Sequence, residues 1–212
     1  MKTIAIELNH VVRNINKQLI KYYKREFDNS LDDENIDEVK ENVIDKYLHF
    51  NSKQELLQFI YEDYPYEIFG CANPIERNLP TKINNWMYNL TNFEDEEINV
   101  IYYSMNEDAL TIQSTYFFLS KIGARVRMVI FPSDIKEVYN IADVIVTSNK
   151  EYSTKCPSDK KCVLIKSNGL TEKDIDENSI SYNSLEEMFN DENFLKTITS
   201  KVVNCSSITN NN

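Results

Sequence analysis

The stretch Lys2-Thr3-Ile4-Ala5-Ile6-Glu7-Leu8-Asn9-His10-Val11-Val12-Arg13 decides how the chain is read. Its first half is a continuous apolar run of strand length, Thr3 to Leu8, the signature of a strand covered on both faces. The run stops abruptly and leaves Glu7, Asn9 and His10 at its carboxyl end, with a helix expected to start near Arg13. In open α/β sheets, ligands gather outside the carboxyl ends of the strands. This turn is therefore the natural place for a site.

The rest of the chain falls into two parts of different character. From Asn14 to Phe27, apolar residues at Ile15, Leu19, Ile20 and Tyr23 have helical spacing. A second helical face runs from Ile36 to Leu48. Ser52 predicts a helix cap with Glu55 at the capping-box offset, followed by a short helix to about Asp63. A Pro- and Gly-punctuated segment leads into another helix over Thr81 to Leu90. Beyond residue 93, strands alternate with helices. Glu97 to Ser104 predicts a strand, and Asp108 to Ile122 a helix with Ala109, Ile112, Tyr116 and Leu119 on its inner face and Gly123 as C-cap. Arg125 to Phe131 predicts a strand and Ser133 to Ile141 a helix. Asp143 to Thr147, Val163 to Ile165 and Ile180 to Tyr182 predict further strands, and Ser184 to Thr197 a final helix. Such alternation implies a parallel sheet flanked by helices on both faces. The expected organisation is an α/β core from residues 1–13 and 93–200, a helical insertion over 14–92, and a tail over 201–212.

Composition narrows the functional classes. With 42% hydrophobic residues, 13 Tyr and 10 Phe in 212 residues, the chain buries a core and is not a disordered one. A formal net charge of −11 disfavours phosphate backbones, so no nucleic-acid partner is expected. Only 3 Gly exclude a Gly-rich phosphate loop. The amino terminus shows no signal-peptide pattern and no apolar run reaches membrane-spanning length, so an intracellular protein without a membrane partner is expected. Cys71, Cys156, Cys162 and Cys205 fit no zinc spacing, and reduced thiols are expected.

A strand at the start, a helical insertion, then β-α units resembles the haloacid-dehalogenase-like phosphohydrolases with a cap after the first strand, and most closely their deoxyribonucleotidase-like branch. The resemblance runs from Thr3 to about Ile165. It implies a nucleophilic Asp and an acid/base Asp at the end of the first strand, where this chain has Glu7 and Asn9. It implies a phosphoryl-holding Ser or Thr after the second core strand, matched by Ser104, and a Lys on a later helix, matched by Lys136. It implies magnesium-binding acids at the end of a further strand, where this chain has Thr147-Ser148-Asn149.

Those substitutions argue against the family's chemistry. Asn9 carries no ionisable proton and cannot act as general acid or base. Glu7 is one methylene longer than the Asp it replaces, and in-line displacement tolerates little misplacement. Magnesium prefers anionic oxygens in octahedral array, and Glu7 alone offers one. The expectation is a non-catalytic protein, with no cofactor, no metal and no catalytic residue. Ser104 and Lys136 would remain as an anion-binding remnant. It would act as a structural or interaction subunit alongside other protein subunits. A virus particle is one setting that fits the bias of an AT-rich genome. Its alternatives are a Mg2+-dependent 5'-nucleotidase or phosphatase using Glu7, and a phosphate- or nucleotide-binding protein without turnover.

The plainer readings are that Glu7 caps the following helix, that Ser104 caps a turn, and that Lys136 is an ordinary exposed lysine. The most aromatic segment supplies Tyr61, Tyr64, Tyr66 and Phe69 as a candidate interaction surface. Its plainer reading is a linker that packs its rings back onto the core.

Overall fold

The first strand, β1 (Lys2–Glu7), forms the middle of the sheet because its side chains find apolar cover on both faces. The computed structural model describes residues 2–27, 48–91, 98–166 and 180–194. Most of the helix expected over Ile36 to Leu48, the tail over 201–212 and Cys205 lie outside them.

After β1 the chain turns and forms β2 (Arg13–Asn14), which pairs antiparallel with β3 (Asn73–Pro74). Between these two come α1 (Ile15–Phe27), α2 (Lys53–Gln58) and two π-helical segments, Phe59–Asp63 and Tyr66–Gly70. Then follow α3 (Leu79–Thr91), β4 (Ile98–Tyr103), α4 (Ala109–Lys121), β5 (Val129–Ile130), α5 (Ile135–Ile141) and β6 (Val144–Thr147). The described chain closes with α6 (Lys150–Thr154), β7 (Lys161–Ile165), β8 (Ile180–Tyr182) and α7 (Leu185–Asn190).

Six strands form one parallel sheet in the order β5-β4-β1-β6-β7-β8. The chain runs outward from β1 through β4 to β5, then crosses to the other side of β1 for β6, β7 and β8. That reversal puts the carboxyl ends of β1, β4 and β6 at a topological switch point. Strand alternation divides the core. Ile4, Ile6, Val100, Tyr102, Val144 and Val146 share one cluster, whereas Ala5, Ile101, Tyr103 and Ile145 share another with Ile135, Val138 and Tyr139 of α5. At about 1.5–3 kcal/mol for each fully buried large aliphatic side chain, these faces dominate the stability of the sheet.

Several elements depart from expectation for local reasons. Helix α3 starts at Leu79, ahead of Thr81, because Pro80 falls in the first turn, where its missing N–H costs nothing. Its residues Ile83, Trp86, Met87 and Leu90 join the sheet's first cluster, whereas α1 packs with the π-helical segments in a cluster of its own. Strand β5 is only two residues long, and at the start of its expected range the Arg125 N–H bonds to Asn84 Oδ1, at 2.9 Å. Ser52 caps α2 by accepting from the Glu55 N–H at 3.1 Å, but the Glu55 carboxylate returns to the Asn51 N–H at 2.7 Å, one residue upstream of the expected box. The inner face of α4 is Thr111, Ser114, Thr115, Phe118 and Leu119, and the expected Tyr116 is 50% exposed. No helix among the described residues is long and apolar enough to cross a membrane.

Candidate functional site

The turn after β1 is built by backbone bonds to Leu8. The N–H groups of Val12 and Arg13 both reach the Leu8 carbonyl, at 3.0 and 2.8 Å, and the His10 N–H reaches the Arg13 carbonyl at 2.9 Å. His10 takes a left-handed conformation with φ of 64° to allow the reversal. The helix that would have started near Arg13 therefore begins at Ile15, directly after β2, which pairs with β3. Arg13 is thrown inward, and its side chain is fully buried.

A buried guanidinium must use its donors. Arg13 donates through Nε and Nη2 to Asn9 Oδ1 at 3.1 and 2.5 Å. Nη1 donates to Thr115 Oγ1 at 2.7 Å and to the Phe69 carbonyl at 3.3 Å. Nη2 also meets Glu107 Oε1 at 2.7 Å and Ser104 Oγ at 3.5 Å, and the Arg13 and Glu107 side chains both have 0% exposure. Glu107 also accepts from Ser104 Oγ and, at 2.6 Å, from Thr115 Oγ1. The guanidinium is further flanked by the rings of Phe69 and Phe118, at 5.0 and 5.4 Å from their centroids. Burial lowers the Arg13 pKa and Glu107 opposes that shift. Gly70 permits the close packing of this corner, since a Cβ there would stand 3.3 Å from the rings of Phe117 and Tyr66.

Glu7 belongs to a different set of bonds, at the end of β6. Its Oε2 accepts from Thr147 Oγ1 at 2.6 Å and from the Ser148 N–H at 3.0 Å, and its residue is 6% exposed. Thr147 Oγ1 in turn accepts from the Asn149 N–H at 3.0 Å, and Asn149 Oδ1 caps α6 by accepting from the Glu151 N–H at 2.8 Å. Glu7 thus ties β1 to the neck of the β6–α6 connection, and in these bonds it serves that neck and not the first turn of α1. Tyr103 lies close by, its hydroxyl pushed well above the usual tyrosine range, first by burial and then by the charge of Glu7.

The expected site residues are therefore distributed as follows. Asn9 and Ser104 meet in one network, through Arg13. Glu7 is held by Thr147 and Ser148. Lys136 is exposed on α5, where its N–H bonds to Asp134 Oδ1 at 2.9 Å and its ammonium makes no bond among the described residues. Phe69 is buried, Tyr61 and Tyr64 are half-buried against the cluster around α1, and Tyr66 is 47% exposed with its ring 4.9 Å from that of Phe117.

Arg13, Glu107 and Thr115 were not anticipated. Arg13 lies in the opening stretch, and Glu107 follows Ser104 by three positions in the loop after β4. Their places after β1 and β4 are the only signal the sequence offers for the first two, and it does not say that they pair; Thr115 lies inside α4 and carries no such signal.

These donors do not suit magnesium. The only oxygen of Asn9's side chain is spent on a guanidinium, the Thr147 hydroxyl donates to Glu7, and a fixed cation stands beside Asn9. Among the described residues, no group of three or more His, Cys, Asp and Glu could hold a metal ion.

The sheet order and the helices inserted after the first strand define the class: an α/β fold with a Rossmann-like parallel sheet flanked by helices. Solved structures agree. One described as a haloacid dehalogenase-like hydrolase from Bacteroides fragilis superposes with a TM-score of 0.53 and 10% identity, covering 88% of this chain and 99% of that one. A second so described, from Burkholderia xenovorans LB400, gives 0.50 and 11%, covering 91% and 97%. Identities this low carry the fold alone. No family model and no curated protein matches the sequence.

Proposed function

We propose that this chain keeps a haloacid-dehalogenase-like fold without phosphoryl-transfer chemistry, and serves as an interaction subunit within a larger protein assembly, of which a virus particle is one candidate. The observation that carries this reading is the Arg13–Glu107 pair. Ser104, the hydroxyl that would hold a phosphoryl group, instead donates to Glu107 and accepts from Arg13. The place of an incoming anion is taken by the chain's own carboxylate. Phosphoryl transfer depends on positioning and on neutralising the transferred group, and neither is available when its holder is engaged this way. The interaction role is supported by Tyr66 and Phe117, a contacting aromatic pair that both stand partly in solvent.

Assay of the purified chain with a panel of nucleoside monophosphates and Mg2+ tests the first half. The expected result is no turnover above background. Turnover abolished by Glu7→Gln would establish the nucleotidase alternative in its place. For the second half, a photo-crosslinking amino acid placed at Tyr66 in cells should give discrete cross-linked protein species, and only the free chain would count against the assembly.

A further inference from the structure

Strand β4 is paired along its whole length on one side only. Toward β1 it pairs from Ile98 to Tyr103, but toward β5 only Tyr102 and Tyr103 have partners. Successive residues of a strand turn their backbone groups to opposite sides. The Tyr102 and Ser104 N–H groups point to the β5 side, 3.0 Å from the Met128 carbonyl and 3.1 Å from the Ile130 carbonyl. Ile98 and Val100 share that orientation, and among the described residues no backbone bond meets them from that side. The chain ahead of β5 is tied instead to Asn84 of α3, whose Oδ1 accepts from the Arg125 N–H at 2.9 Å and whose Nδ2 donates to the Gly123 carbonyl at 2.9 Å.

A cavity of about 260 Å³ stands beside this open stretch, lined by Ile98 and Val100, by Met87 of α3, and by Arg125, Val126 and Arg127. Its apolar floor is built from buried residues, Met87, Ile98 and Val100. Its charged lining is wholly basic, in a chain of net charge −11. Both arginines are exposed, and among the described residues neither guanidinium has a carboxylate partner. The cavity lies at the opposite end of β4 from Ser104 and shares no residue with the strand-end site.

We infer that the open edge of β4 takes an extended acidic segment of a partner protein as an added strand. An unpaired strand edge is a template for another chain, and main-chain bonds supply the affinity of such additions. The incoming strand offers a carbonyl to the Val100 N–H and an N–H to the Val100 carbonyl. Alternate side chains of a strand fall on one face, so carboxylates at alternate positions meet Arg125 and Arg127, themselves two residues apart. An apolar residue between them covers Met87 and Val100. At ~3.3 Å per residue the stretch from Ile98 to Ile101 is about 10 Å long, so a short segment fills it.

The full-length chain should be titrated into a short fluorescein-labelled peptide of alternating valine and glutamate, with binding read by anisotropy and the chain's backbone amides followed by NMR. The expected result is saturable binding that shifts the Val100 amide and leaves the Leu164 amide, paired inside the sheet, in place. Replacing both arginines, Arg125→Ala with Arg127→Ala, should weaken binding about tenfold or more through lost charge-assisted bonds. Both side chains are exposed, so this variant should keep the parent's circular dichroism spectrum. Methylating one set of alternate peptide amides should abolish binding and methylating the other set should spare it, since only one set faces β4. The inference is overturned if millimolar peptide does not bind saturably, if both methylated peptides bind like the parent, or if lysine in place of glutamate binds as tightly. It is equally overturned if the peptide binds only after Glu94, Asp95, Glu96 and Glu97 are changed to amides, which would make the chain's own linker the occupant. A dimer of the chain that the peptide dissociates would make a second copy the occupant and overturn it too.

Discussion

Arg13 and Glu107 are 94 positions apart, and each is tolerable inside the protein only because the other is there. A buried ion pair gains little over well-packed apolar residues, but losing one partner strands the other's charge at a cost of about 3–5 kcal/mol. Arg13→Met should therefore lower the free energy of unfolding by that order in urea titration. Adding Glu107→Gln should recover a good part of it, since a neutral amide can still bond to Ser104 and Thr115. A single-variant loss below about 1 kcal/mol, the range of exposed pairs, would contradict the burial described. This pair was hidden in the sequence. Nothing local distinguishes an arginine headed for the interior from one headed for solvent, because the difference is made by a carboxylate that only the fold brings near.

Helix α4 shows where element-level reading succeeds and where it stops. Its ends were legible: Asp108 accepts from the Leu110 and Thr111 N–H groups, both at 3.0 Å, and Gly123 takes a φ of 68° just past the last turn. Its buried face was not legible, because apolar residues occur all round it and periodicity alone cannot choose among them. Thr111 and Thr115 turn inward since one serves the Asp108 cap and the other bridges Arg13 to Glu107. The cap is also testable. The Thr111 N–H leads the contacts that hold the Asp108 carboxyl below its usual pKa. A depressed folded pKa gives stability that is present above the unfolded value and is lost as pH falls through the folded one. Asp108→Ala should thus cost about 1 kcal/mol near neutrality. The gap between variant and parent should close below about pH 4, and a gap unchanged by acid would show that the carboxylate is not the cap.

At the scale of the molecule, the continuous runs Ile4–Ile6 and Val144–Val146 identified a parallel sheet because strands covered on both faces leave no polar alternation to misread. The boundary of the helical insertion was less readable. Helix α3 looks like any amphipathic helix until its apolar face is seen to meet the sheet through Ile83, Trp86, Met87 and Leu90. Ile83→Ala should cost about 2–5 kcal/mol, as for a core truncation. It should shift the whole unfolding transition, read together by far-UV circular dichroism and tryptophan fluorescence. A separate early transition in fluorescence alone would mean that α3 unfolds apart from the sheet.

At the strand-end site, the proposed role requires that the chain's own side chains stand where a ligand would. It is tested most directly by crystals soaked in Mg2+ and inorganic phosphate. The Arg13–Glu107 pair should stay closed over Ser104, with no ion beside Glu7. An octahedral metal on Glu7, with phosphate displacing Glu107 from the Ser104 hydroxyl, would contradict it.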